Sequence, residues 1–342
     1  MDTKKIVGLA FLGLVVMGVL GMTVWAVKAY RAPLGPALQS VVPTSIPVNN
    51  QIVPNAIPVN QTVSTPISAM AQADVCGETG VWNVLVLGSD AAELRGEKGS
   101  DLTRMLRVDF PNRKVTMFTF SRDLWVDTSG LGLTNPTINA AQLGMVFHEA
   151  RARSKSTDVR AAMVEGTNAS ARMLANNFLI STDHYLTVDL AQIPAMVDAI
   201  GGVPINIPAT ITDPWIGTVI YAGQQTLNGA QFVAYARAIP DSDFARIQRN
   251  NLLLDALQQK LLDPVVWPRI PQLYAQFNQV IATDLSPEQV DHLACLLQEV
   301  PREAVIQDWV KPEWTWPGPQ PGSLLWDKAR VINRLKELGV TP

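Results

Sequence analysis

Two carboxylates and a set of arginines stand where strands stop or helices start in this chain. Asp90 closes the run Val84-Leu85-Val86-Leu87-Gly88-Ser89-Asp90, and Asp101 follows in Gly99-Ser100-Asp101. Ser121-Arg122-Asp123 comes after a further apolar run. Paired carboxylates suit a hard cation such as Mg²⁺, which takes oxygen ligands. The planar guanidinium fork of arginine suits a phosphate. A second cluster opens at Asp243-Phe244-Ala245-Arg246-Ile247-Gln248-Arg249-Asn250, where Ser242 or Asp243 can cap a helix. Arg246 and Asn250 are four apart and share a face, with Arg249 three from Arg246. A helix start attracts phosphate through its free N–H groups, and Arg237 adds a cation from the preceding helix. A solvated face of Asp–Arg pairs is an equally supported reading of that run.

The elements that must hold these groups follow from apolar patterning. Val81 to Leu87 is short and β-branched, and reads as a buried strand ending in a glycine turn at Gly88-Ser89-Asp90. Met105 to Phe110 and Val115 to Phe120 read as two more strands joined by a turn at Pro111 to Lys114. Helices are expected to about Arg153, at 161–178, at 190–200 before Gly201-Gly202, at 227–237 and at 243–262. His184 to Val188 reads as a strand, and Val203 to Ile207 as a short edge strand. Residues 208–226 read as an irregular apolar loop with Trp215 and Ile216. Farther on, Ser286-Pro287 starts a helix, Val305 to Trp309 reads as a strand, and Asp327 to Leu338 reads as the last helix. Alternation of this kind predicts an α/β fold, a three-layer sandwich around a mixed sheet. Ligands of such sheets sit where strand ends and loops converge.

Composition narrows the function. With 342 residues, 47% hydrophobic and 17% charged, the chain can build a real core. A net charge of -3 supplies no electrostatic footprint for nucleic acid. His148, His184 and His292 are not at zinc-ligand spacing. Neither a GxxxxGK[ST] loop nor a GxGxxG turn is present, so a nucleotide is not the expected ligand.

The N-terminus reads as a membrane anchor. Lys4-Lys5 precedes an apolar stretch from Ile6 to Val27, about the 20 residues that cross a bilayer core. A cleaved signal peptide is the rival, but no small-x-small site closes the run. The organisation expected is an anchor at 1–28, a proline-rich extracytoplasmic linker at 29–75 and a folded unit at 76–342. Cys76 and Cys295 then lie in a compartment that permits a disulfide. Cys295, inside Leu-Ala-Cys-Leu-Leu, also fits as a small core residue.

The order Asn83-Val84-Leu85-Val86-Leu87-Gly88-Ser89-Asp90, Ser100-Asp101, Ser121-Arg122-Asp123-Leu124-Trp125-Val126, Ile138-Asn139-Ala140-Ala141, Val197-Asp198-Ala199-Ile200-Gly201-Gly202-Val203, Leu227-Asn228-Gly229-Ala230-Gln231, Tyr235-Ala236-Arg237 and Asp243 to Arg249 resembles the LytR-CpsA-Psr family over 81–262, with 263–342 completing the domain. The resemblance implies an extracytoplasmic phosphotransferase in the bacterial cytoplasmic membrane. It would move a glycopolymer from a polyprenyl-pyrophosphate carrier to a peptidoglycan sugar hydroxyl.

Carried over by position, Asp90 and Asp101 match the family's Mg²⁺ (or Mn²⁺) ligands. Arg122 matches the arginine on the pyrophosphate, and Asp123 the acid orienting it. Asp101, Arg122 and Asp123 form the implied catalytic set, with Asp101 or Asp123 as proton acceptor. Arg237, Arg246 and Arg249 match arginines around the same phosphates, and Asn250 stands where the family has Gln. The apolar helices at 161–178 and 190–200, with Trp215 and Ile216, offer walls for the prenyl tail. The chain departs from the pattern at Gly99, Thr137 and Ile239, where basic residues are usual, and at Ser121, where Pro is usual. Arg104 lies close enough in sequence to restore one charge. These departures keep two alternatives in view: a non-catalytic polyprenyl-phosphate-binding wall protein, and a hydrolase of lipid pyrophosphates.

Overall fold

The computed structural model describes residues 33, 35–38, 75–90, 99–133, 139–213, 217–238, 242–261, 263, 265–266 and 281–342. The expected anchor and most of the linker lie outside them. Among the described residues no helix is long and apolar enough to cross a membrane.

β-Branched and aromatic runs build a six-stranded mixed sheet. Its members are β1 (Val81–Asp90), β2 (Gly99–Asp109), β3 (Lys114–Phe120), β6 (His184–Asp189), β11 (Ile281–Thr283) and β12 (Val305–Trp309), in the order β11-β6-β1-β2-β3-β12. β1 pairs antiparallel with β2 and β2 antiparallel with β3, while β6 runs parallel to β1 and β12 parallel to β3. The C-terminal ends of β1, β3, β6 and β12 and the N-terminal end of β2 therefore share one rim. Both outer strands come from beyond residue 280, so the last part of the chain completes the sheet.

Alternation along the strands sorts the two faces. Leu85, Leu87, Met105, Phe118 and Phe120 bury against α1 (Leu143–Arg153), α2 (Val159–Phe178) and α7 (Lys328–Glu337). Trp82, Val84, Val108 and Val115 point the other way, against Leu296 of α6 (Pro287–Glu299). A separate apolar cluster joins α3 (Ile193–Ala199), β7 (Val203–Ile207), β10 (Gly223–Leu227), α4 (Gly229–Arg237) and α5 (Asp243–Leu261). Helix starts follow their capping chemistry. Asn228 with Gln231 and Ser286 with Gln289 each form a reciprocal capping box, satisfying two free N–H groups apiece.

Two expectations are corrected. The chain does not turn at Gly88-Ser89-Asp90. β1 runs on through these residues and β2 begins at Gly99 rather than Met105, because Ser89 pairs with Ser100 and Asp90 with Gly99 beyond a register shift. The irregular loop expected at 208–226 holds strands: β8 (Ile211–Asp213) pairs with β9 (Thr218–Ile220), and β10 pairs with β7. The β-branched residues Ile211, Thr212, Thr218, Val219 and Ile220 carry the first of these pairs, and proline and glycine nearby mask their pattern. Trp215 and Ile216 lie outside the described residues.

Cys76 and Cys295 are joined by a disulfide, tying the first described strand region to α6 across 219 residues of sequence. A loop of that length gives a large entropic effect on the unfolded chain, about 5 kcal/mol at most. Cys76→Ser with Cys295→Ser is expected to lower the urea-unfolding free energy by about 3–5 kcal/mol. Equal stability of oxidised and reduced wild type would contradict this.

Candidate functional site

The rim of the sheet gathers the chemically active groups. Ser121-Arg122-Asp123 leaves the end of β3. The backbone of Asp90 ends β1, and Asp101 is the extra residue where β2 bulges, since Gly88 faces Leu102 while Ser89 faces Ser100. A bulge redirects the residue it inserts and is frequent beside active sites. The side chains of Asp90 and Asp101 lie outside what the structure describes. Their backbones fall within two ladder positions on adjacent strands. Among the described side chains, the one three-member cluster of metal-ligating type is Cys76, Cys295 and Glu299, whose sulfurs are consumed by the disulfide.

A buried hydrogen-bonded chain joins this rim to α5. Ser121 Oγ donates to Asp243 Oδ2 at 2.6 Å. Asp243 Oδ1 accepts from Arg246 Nε at 2.8 Å and also from its terminal amine. The side chains of Asp243 and Arg246 are 6% and 3% exposed, so this ion pair is desolvated on both sides. Ser242 Oγ accepts from the Ala245 N–H at the helix start. Asp243 is thereby released from the capping role and turns inward. Neither Ser121 nor Asp243 was singled out by residue type for chemistry. The signal was present in Ser121 itself, which puts a hydroxyl where the resemblance has proline.

Beyond this link lies an apolar cavity of about 260 Å³. α3 and the turn before it contribute Leu190, Ile193, Met196, Val197 and Ile200; α4 contributes Phe232, Val233 and Ala236; α5 contributes Leu253, Leu254, Leu257 and Leu261. The polar side chains on its wall are Arg237, Arg246 and Asn250, and β2 adds Leu102, the neighbour of Asp101. The cavity is thus a hydrocarbon-lined space with two guanidinium groups and an amide, beside the rim.

Two glycines make room for it. A Cβ on Gly88 would stand 2.9 Å from Leu190 Cδ2 and 3.2 Å from Leu102 Cβ, both lining residues. A Cβ on Gly229 would fall 1.9 Å from the Pro194 carbonyl oxygen, and Gly229 N–H donates to Asp198 Oδ1 at 2.8 Å. α3 and α4 can approach this closely only over glycine.

The remaining site residues are placed as follows. Arg122 Nε lies 3.7 Å from Asp123 Oδ1, which also accepts from Gln142 Nε2 at 3.4 Å, so Asp123 braces Arg122. Arg249 is buried, donates to the Ala238 carbonyl and is not among the cavity-lining residues. It supports the turn after α4, and its charge opposes the rise that burial causes in the Tyr235 pKa. Arg104 does not restore charge to the cavity. It is 2% exposed under the opposite side of α5, donating to Asn251 Oδ1 at 2.6 Å. Burial pushes its pKa down to about 10, with Asp255 opposing. α2 is not a cavity wall. Its buried residues Met163, Leu174 and Phe178 pack into the main core. Thr137 and Ile239 lie outside the described residues.

The link between Ser121, Asp243 and Arg246 is expected to act as a unit. Asp243→Asn leaves Arg246 buried without its anion and should cost about 3 kcal/mol, while Ser121→Ala should cost about 1 kcal/mol. A double-mutant cycle by urea unfolding should show coupling of at least about 0.5 kcal/mol. Strict additivity would contradict the link.

A model of the LytR_cpsA_psr family matches residues 54–311. The chain is 25% identical over 207 residues to the regulatory protein MsrR of Staphylococcus aureus, covering 59% of this chain and 56% of that protein. It is 24% identical over 218 residues to TagU of Enterococcus faecalis, named a polyisoprenyl-teichoic acid–peptidoglycan teichoic acid transferase, covering 62% and 64%. The chain therefore matches somewhat less than two thirds of either relative. The crystal structure of Bacillus subtilis TagV shares the fold, with a TM-score of 0.59 at 20% identity, over 78% of this chain and all of that one.

Proposed function

From the membership of this chain in the LytR-CpsA-Psr family, we propose that it transfers a glycopolymer from a polyprenyl-pyrophosphate carrier to a peptidoglycan sugar hydroxyl. The observation that carries this reading is the apolar cavity bearing Arg237, Arg246 and Asn250 beside Leu102. A prenyl pyrophosphate has the same division into hydrocarbon and dianionic head. Burial of a tail in such a space is favourable by about 0.8 kcal/mol per CH₂. Guanidinium groups at its polar end suit phosphate oxygens, Arg246 with its Nε and one terminal nitrogen already on Asp243. The name of TagU, a teichoic acid transferase, agrees with this class of reaction.

The reaction read from these groups is an in-line displacement. The acceptor hydroxyl oxygen bonds to the phosphorus on the sugar side. The bond from that phosphorus to the bridging oxygen breaks, and polyprenyl phosphate leaves with the electron pair. Arg246 and Arg237 hold charge on the leaving phosphate, and Arg122, braced by Asp123, faces the transferred one. Asp123 is engaged with Arg122 and Gln142. The hydroxyl proton would pass to Asp101 or Asp123, and these contacts of Asp123 favour Asp101. Asp90 and Asp101 would hold Mg²⁺ or Mn²⁺, which neutralises phosphate charge when bound.

The remaining site roles and the cell location belong to the same proposal. The disulfide fits an oxidising compartment. It supports a folded part outside the cytoplasm; the anchor expected at residues 1–28 would hold it at the bacterial cytoplasmic membrane. A non-catalytic lipid-binding role is favoured by one observation: Arg104, three residues after Asp101, points away from the cavity to Asn251.

The test is incubation of the full chain with a lipid-pyrophosphate-linked glycan, Mg²⁺ and peptidoglycan fragments. Wild type is expected to form the phosphodiester product. Arg246→Ala and Asp101→Ala should each lower the rate at least about 100-fold. Water-dependent release without transfer would assign a hydrolase. Tight lipid binding without turnover would assign a carrier or sensor.

A further inference from the structure

α5 has a second working side. Arg246, Asn250, Leu253, Leu254 and Leu257 face the apolar cavity. Gln248, Asn251, Asp255, Gln258 and Gln259 recur at helical spacing on another stripe and line a separate trench of about 810 Å³. Its other wall is the end of α6 with Gln298, and β12 with Gln307 and Trp309. Among the described residues the chain thus sets carboxamides along both walls with one carboxylate and no cationic side chain on the lining itself, while Arg104 donates to the lining Asn251 from beneath.

This chemistry fits an uncharged or weakly charged polyol. A carboxamide offers donors and an acceptor in one plane, matching hydroxyls that both give and accept. Hydrogen-bonding capacity remains unspent in the wall. Gln307 Nε2 donates to Asp255, but Gln307 Oε1 and Trp309 Nε1 are buried with no partner among the described residues. Each such group costs about 1–3 kcal/mol if left unmade. Lys311 covers one face of the Trp309 ring at 3.4 Å.

The trench also leads to the rim. Gln248 lies two residues beyond Arg246 on α5. Trp309 ends β12, and the next residue, Val310, donates its N–H to the carbonyl of Thr119, two residues before Ser121. From Gln248 to Gln259 the helix runs about 16 Å, room for more than one sugar ring. We propose that this trench binds a saccharide chain and guides it to the phosphate-holding end of α5, so that one helix separates lipid from sugar. The trench rests on the transferase reading only for the source of that saccharide, acceptor glycan or donor polymer.

Calorimetric titration of the full chain in detergent tests this, using the β-1,4-linked tetramer of N-acetylglucosamine as one probe. A lipid-pyrophosphate-linked polymer and the same lipid carrying a single sugar are the others. Gln248→Ala with Gln258→Ala, and separately Trp309→Phe, alter the trench and leave the cavity wall intact; thermal melts check that each variant folds. Loss of two hydrogen bonds should weaken saccharide binding about tenfold. A loss confined to the tetramer assigns the trench to the acceptor. A loss for the polymer but not the single-sugar lipid assigns it to the donor chain. Unchanged affinity for every probe in both variants, or no binding of any saccharide, overturns the trench whether or not the protein transfers. Trench-dependent binding in a wild type that transfers nothing leaves this inference standing and removes the transferase reading.

Discussion

A desolvated ion pair fixes the geometry of this protein. Asp243 and Arg246 lie on the first turn of α5, and Ser121 reaches from the end of β3 to hold the same carboxylate. An ion pair this deeply buried contributes little net stability, because removing two charges from water offsets their attraction. Its value is directional. Asp243 must face both Ser121 and Arg246, which sets the start and rotation of α5 against the rim of the sheet. Both sides of the helix then fall into place, one against α3 and α4 and the other against β12.

The cavity follows from that placement and from two missing side chains. Gly88 lets Leu190 and Leu102 close over the strand, and Gly229 lets α4 meet the backbone of α3. An apolar space of about 260 Å³ results, with Arg237 and Arg246 in its wall; its division between hydrocarbon and cation is what the proposed lipid pyrophosphate would need. Leu102 brings this space beside the rim, where the backbone of Asp101 bulges out of β2.

Much of the sheet was legible because its strands carry strong β-branched runs and its turns carry proline and glycine. The helices at 159–178, 229–237 and 243–261 were legible from apolar spacing and polar starts. What escaped was context. Gly88-Ser89-Asp90 looks like a turn, yet pairing with Gly99 and Ser100 keeps it in the strand. The 211–227 strands are short and interrupted, so no period develops within them. At the site, the shared face of Arg246 and Asn250 was readable from helix spacing, while Arg237 entered only as a cation of the preceding helix. The inward turn of Asp243, the support role of Arg249 and the departure of Arg104 toward Asn251 were not, because each depends on a partner distant in sequence.

Family membership supports the proposed chemistry, and the cavity gives that proposal a physical basis in this chain. The most direct measurement is native mass spectrometry of the full chain after exposure to a polyprenyl pyrophosphate. The wild type should retain one lipid, and Leu257→Trp, which fills the hydrocarbon end while leaving Arg237 and Arg246 in place, should lose it. A lipid-free wild type, or a Leu257→Trp variant that keeps the lipid as firmly, would contradict the account.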